Sequence, residues 1–289
     1  MAPKIILAAV TGQETDAATL AIAATVARRF NAHIDALHVK GDPRDAIPFL
    51  GEGASGVLIE QIMAAAERDA GTRSGRARTA FETWRTGSGL ATATRPGGEG
   101  ASVAWREETG TEEDCMARYG RVSDMIVVGR PPNDDSGASI VIFETALFDT
   151  GKPVIVAPPE ASAASGVVGS AATIFWTGSA EAAHAVSSAI PLLATAANVS
   201  VVASSTAGKA TDTAPLIDWL AWHGIRAQAT PPLAITPTAG AELLANAKKE
   251  GAGLLVMGAY TQSRLRQLIY GSVTKHVLTN AALPVLMAH

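Results

Sequence analysis

Residues 256–278 read VMGAYTQSRLRQLIYGSVTKHVL, and the residue types here suit one kind of chemistry. Gly258 closes an apolar run, Thr261 follows three residues later, and Gly271 and Ser272 stand where a helical pattern running through Val273 begins. A helix start exposes unpaired backbone N–H groups and the positive end of the helix dipole. A glycine there lets a phosphate approach the backbone, and a serine hydroxyl adds a donor, so the stretch can hold phosphates. The same Gly-Ser pair also reads as a simple helix cap. Arg264 and Arg266, between the two ends, serve either as a solvated loop or as contacts to a triphosphate.

Such a loop works only if a buried strand delivers it and a helix receives it. The run GLLVMGA (253–259) is such a strand, and LPVLMAH (283–289) is the strand beyond the helix. The same ending occurs earlier, in DMIVVGR (124–130) and KPVIVAP (152–158). Gly129 to Pro153 is 24 residues and Gly258 to Pro284 is 26. The beginnings match as well. KIILAAV, DAATLAIAATVARRF and AHIDALHV (4–39) read strand, helix, strand, and so do ATIFW, SAEAAHAVSSAIPLLATAA and NVSVVAS (172–204). The chain is therefore an internal repeat of a βαβ-based unit. We expect α/β architecture, with two tandem doubly wound parallel-sheet domains covered by helices on both faces.

The expected boundaries are 1–158 for the first domain, 159–171 for a linker rich in Pro, Ala, Ser and Gly, and 172–289 for the second. The first half carries an extra amphipathic helix at 55–84 before the strand ASVAWREE. In the second half, 212–225 reads as a helix whose Trp219 and Trp222, among apolar neighbours, are expected in the core. The strand RAQATPPL and the helix TAGAELLANAKKEGA follow it.

Composition narrows the function. The 289 residues are 47% hydrophobic and 17% charged, with a net charge of -4 and no basic block, so duplex nucleic acid is not an expected partner. No run approaches the roughly 20 apolar residues of a membrane span, and the first residues lack the pattern of a secretory leader. The single cysteine, Cys115, lies on a helical pattern as an ordinary thiol and suits a reducing cytoplasm, the expected location.

With these residues in view, the chain resembles the universal stress protein family in its tandem, two-domain form, which has an adenine nucleotide alpha hydrolase-like fold. The resemblance spans nearly the whole chain and is most specific over 253–289. ATP-binding members of that family carry Gly, two residues, Gly, nine residues, then Gly and Ser or Thr. Here the spacing is kept, with Thr261 at the second glycine and nine residues, 262–270, before Gly271 and Ser272. The resemblance implies that Gly258, Thr261, Gly271, Ser272 and Val273 hold phosphates and ribose. It places Thr177 where many members have an adenosine-contacting Asp, and Ser204 at the end of the second strand, where His-Val is frequent. The implied ligand is ATP or a related adenine nucleotide, with or without Mg, bound in the second domain.

In the first half His38 and Val39 are retained, but Ile140 and Val141 stand at the Gly271 and Ser272 positions, and Asp134 and Asp135 precede them. At most one nucleotide per chain is expected. The resemblance further implies a nucleotide-dependent binding and signalling module of the stress response, rather than an enzyme, with a protein partner. The closing strands of the two halves are expected to pair antiparallel, as a dimer within one chain, and association of whole chains into a homodimer stays open. Two alternatives remain: a slow ATPase, for which no base can be named, and an interaction module that has lost its nucleotide site.

Other motifs carry less. GEGASG (51–56) satisfies a Gly-x-Gly-x-x-Gly pattern but lies 12 residues beyond the strand ending at Val39, too far for a tight strand-turn-helix, and reads as a loop. STAGKAT (205–211) lacks the first glycine of a phosphate loop and reads as an ordinary loop after a strand. The six histidines show no metal-ligand spacing, and His276 reads as a surface residue or one that complements the helix dipole. No Gly-x-Ser-x-Gly elbow or nucleophile-base set is present.

Overall fold

A computed structural model describes residues 2–45, 56–95, 99–131, 138–159, 168–259 and 272–289. The first half runs β1 (Ile5–Ala9), α1 (Asp16–Phe30), β2 (His33–Lys40), α2 (Gly56–Ser88), β3 (Ala91–Thr92), β4 (Ser102–Thr109), α3 (Glu112–Gly120), β5 (Met125–Gly129), α4 (Ala138–Phe148) and β6 (Val154–Ala157). The second runs β7 (Ala171–Trp176), α5 (Ala180–Leu193), β8 (Asn198–Thr206), β9 (Lys209–Ala210), α6 (Ala214–Trp222), β10 (Ala227–Ala234), α7 (Ala239–Lys249), β11 (Leu254–Gly258), α8 (Ser272–Asn280) and β12 (Val285–Ala288).

Within each half the main strands are parallel. The halves join through β6 and β12, which pair antiparallel with Val285 opposite Val156 and Met287 opposite Val154. One continuous sheet results, in the order β10-β8-β7-β11-β12-β6-β5-β1-β2-β4-β3. Central strands have both faces buried, which explains their unbroken apolar runs. In β1, Ile6 and Ala8 enter a core with α1, α2 and α5, while Leu7 and Ala9 enter the opposite core with α3, α4, α7 and α8.

Four local readings change on contact with the structure. The first-half helix continues to Ser88, four residues past the expected end. On α6, Leu216 and Leu220 face inward, which turns Trp219 and Trp222 outward; Trp222 is 91% exposed, so neither belongs to the core. Trp219 packs edge-on against His223 instead. STAGKAT is not a simple loop: β8 continues to Thr206 and turns back through Ala207 and Gly208 into β9. Both turn residues have positive φ (51° and 76°), the geometry that matches a hairpin's twist. His276 is half-buried against α7, where a Cβ on Gly240 would lie 2.5 Å from that of His276. Of GEGASG only Gly56, the first residue of α2, is described, and residues 132–137 lie outside the described residues. Cys115 is buried on α3, and burial pushes its thiol pKa up, as suits an inert thiol.

Two glycines set the distance between helix and strand. A Cβ on Gly258 would lie 2.5 Å from the backbone N of Ala182 in α5, and one on Gly129 would lie 2.5 Å from Oγ1 of Thr15 beside α1. We expect Gly258→Ala to cost about 2 kcal/mol or more, since rigid backbone must move. Gly71→Ala, in an α2 position with open space around it, should instead stabilise by about 0.5–1 kcal/mol. Urea unfolding of both variants checks the pair, and equal effects would remove the packing explanation.

Candidate functional site

The carboxyl ends of β7, β8 and β11 form one edge of the second half, the region where open α/β sheets bind ligands. Trp176 pairs with Ala203, and Met257 with Phe175, so Thr177, Ser204 and Gly258 share this edge. Two of them meet the first turn of α5. Gly258 lies under Glu181 and Ala182, and the Thr177 hydroxyl donates to Oγ of Ser179 at 3.1 Å. Ser179 caps the helix by accepting from the Ala182 N–H at 3.2 Å. Between them Gly178 has φ of 72°, the left-handed region that favours glycine.

Ser204 is more enclosed. It is buried, and its hydroxyl shares a 3.0 Å hydrogen bond with that of Thr211, just past β9. The Thr211 N–H also donates to the Ser204 carbonyl, at 2.8 Å. The hairpin thus folds back over this edge, and the Thr211 methyl would lie 3.0 Å from a Cβ on Gly178. Ser272 opens α8, and Val273 is buried in the core beside Val277, so any ligand at this terminus would meet the backbone of Val273 and not its side chain. Thr261 and Gly271, with Arg264 and Arg266, lie outside the described residues.

The first half has its own polar cluster, which the sequence reading missed. Asp16, at the start of α1, is 1% exposed. It accepts from the N–H of Thr11 at 2.8 Å, the Thr11 hydroxyl at 3.1 Å and the N–H of Gly12 at 2.7 Å. His38 is equally buried, donates from Nδ1 to the Val10 carbonyl at 2.8 Å and stacks on Trp105. Helix α2 roofs the cluster, with the Arg73 carbonyl 2.6 Å from a Cβ position on Gly12. Ile140 and Val141 both lie on α4, Ile140 buried and Val141 half-buried. Of this cluster the sequence had singled out His38; for Asp16 the signal was a carboxylate in the first turn of α1, a place where helices commonly accept one.

Two covalently joined, doubly wound α/β units that share one sheet define the class. The model of the universal stress protein family matches residues 3–139 and 173–289, and the chain belongs to that family. Its fold is similar to that of a universal stress protein from Archaeoglobus fulgidus DSM 4304, at 15% identity and a TM-score of 0.63 over 98% of this chain and 97% of that one. It is also similar to a protein of Pseudomonas aeruginosa PAO1 described as functionally unknown, at 13% identity and a TM-score of 0.55 over 99% and 92% of the two chains. No curated protein matches it. No helix among the described residues is long and apolar enough to cross a membrane.

Burial pushes the Asp16 carboxyl above its ordinary 3.8, against the lowering effect of the bonds from Thr11 and Gly12. A raised folded-state pKa contributes stability that is complete below the unfolded value and is lost as pH rises through the folded one. We therefore expect the stability of Asp16→Asn relative to the parent to improve as pH rises from 3.8 through that window. Urea melts at pH 4 and pH 7 test this, and a difference that shifts toward the parent would refute it.

Proposed function

We propose that the second domain binds ATP or a related adenine nucleotide, with or without Mg, at the edge formed by Thr177, Ser204, Gly258, Thr261, Gly271, Ser272 and Val273. In this reading the chain is a nucleotide-dependent binding module of the stress response and not an efficient enzyme. The observation that carries it is the meeting of Gly258 and Thr177 at the first turn of α5, on the strand that delivers the spaced Gly-Ser sequence to α8. Family membership supports it.

The donor set fits a phosphate-bearing ligand in part. A glycine and the opening turn of α8 supply backbone N–H groups, which suit anionic oxygens. Thr177 supplies a hydroxyl where a carboxylate would grip ribose more firmly, so the adenosine end is held less strongly. Mg would come with the nucleotide and would offset its negative charge, and none of these residues is a carboxylate that would bind it directly. Binding would present an altered surface to a protein partner. The cytoplasm fits this role. The domain limits we propose are 1–158 and 172–289, joined by 159–171.

One observation favours a second reading, an interaction module whose nucleotide site is lost. The Ser204–Thr211 bond closes the hairpin over the site edge. Calorimetric titration of nucleotide-stripped protein with MgATP separates the two readings. We expect binding near one per chain, and loss of at least tenfold in affinity in Gly271→Asp, which sets a carboxylate at the phosphate position. Absence of binding would favour the interaction module.

A further inference from the structure

The second-half end of the shared sheet is open and carries two exposed tryptophans. β10 is the terminal strand, and among the described residues it is bonded to β8 alone, in parallel register from Ala227 opposite Val199 to Thr230 opposite Val202. In a parallel ladder alternate residues direct their N–H and C=O groups away from the partner, so two residues of this stretch present unpaired backbone outward. Helix α6 leads into the strand; its Trp222 is 91% exposed and its Trp219 38%. Such large apolar rings gain nothing from water, and tryptophan is enriched where proteins meet.

Charge is scarce on this face. Between Thr213 and Thr238 the only charged side chains are Asp218 and Arg226, in a chain that is 17% charged overall. Both are exposed. One acid and one base make the face neutral and complementary to itself, because a two-fold axis offers the acid of each copy to the base of the other. Pro231 and Pro232 have no N–H, so pairing on the outer edge stops at Thr230, where the register with β8 also shifts. A four-residue edge cannot hold two chains, and side chains must supply most of the area. With about 250 Å² for a whole tryptophan, the exposed parts of these rings in two copies come to about 650 Å², roughly half of the 1,200 Å² at which stable interfaces begin.

We propose that this face joins two copies of the chain. The outer edges of β10 pair antiparallel over residues 227–230, and the α6 tryptophans of each copy cover the exposed Pro231 and Pro232 of the other. Antiparallel pairing sets residue 227 of one copy beside residue 230 of the other, which carries the start of each β10, and with it the end of α6, to the partner's prolines. Because both copies use the same face, the contact closes as a pair and does not propagate. The far end of the sheet, the two-residue β3, offers little to extend it. Trp222 lies before the first residue of β10, whereas Thr177, Ser204 and Gly258 lie where their parallel strands end, so the pair leaves that edge free.

Sedimentation velocity of the full chain over a range of concentrations tests this. We expect a species of twice the chain mass that grows with concentration, is weakened at least tenfold in Trp222→Lys and is unchanged in Val122→Lys, a substitution at a 71% exposed residue of the first half. Both side chains are so exposed that the variants keep the fold. Hydrogen exchange should show added amide protection within 227–230 in the concentrated parent and none in Trp222→Lys. A chain that stays monomeric up to about 1 mM would leave the face to a different protein and overturn the proposal. So would a dimer indifferent to Trp222→Lys, one weakened equally by Val122→Lys, or one without added protection at 227–230.

Discussion

The antiparallel pairing of β6 with β12 is the constraint from which the rest of the molecule follows. The main strands within each half run parallel, so reversing direction where the halves join sends the carboxyl ends of the two halves to opposite edges of one sheet. Helices run counter to their strands, so each crevice lies beside the carboxyl ends of the other half's helices. The contacts at the seam have this form. Arg130, past β5, reaches the end of α8, and His289, past β12, meets Phe148 at the end of α4 with ring centroids 4.9 Å apart. The two contacts differ in chemistry: one is charge on carbonyl, the other ring on ring. The second also ties down the last strand, since the His289 ring donates to the Ala259 carbonyl and its backbone carbonyl accepts from His184.

A second constraint acts inside each half. The first helix must approach the last-but-one strand closely, and Gly129 and Gly258 are the residues that permit it. Gly258 therefore has a packing reason independent of any ligand, which is why a glycine at this position is weak support for a phosphate site when taken alone. Gly12 and Gly178 form the corresponding pair one turn earlier, with φ of 79° and 72°. Each is covered by whatever follows the second strand, the α2 backbone in the first half and Thr211 of the hairpin in the second. The same fold thus carries two different roofs.

Much of this was legible in the sequence, for a physical reason. A strand buried on both faces must be apolar throughout, so runs such as DMIVVGR and GLLVMGA announce themselves, and Gly-to-Pro spacing fixes what lies between. What failed were judgements that depend on where a short element stops. Trp219 and Trp222 look like core in a helix read from 212 to 225, but α6 has only nine residues, and the 3.6-residue period set by Leu216 and Leu220 turns both outward. The hairpin at 204–211 was hidden because Ala207 adopts a left-handed conformation in which alanine is uncommon. Arg130 was invisible for another reason, since its partners are carbonyls 149 and 151 residues away.

These facts bear on how the two halves divide their work. A phosphate can be held by backbone at a helix start, which needs glycine and close approach, or by guanidinium groups, which need room and no competing carboxylate. In the second half the roof is a short hairpin of Ser, Thr, Ala and Gly with a single Lys. In the first half the residue after the glycine is an arginine, and the long helix above contributes Arg73 and Arg76. Arg73 is neutralised by Glu112 at 3.4 Å, which leaves Arg76 as the charge that α2 turns to the seam. Beside the strand ends of the first half positive charge is therefore carried by side chains, and one of them, Arg130, is fastened to the helix that begins at Ser272.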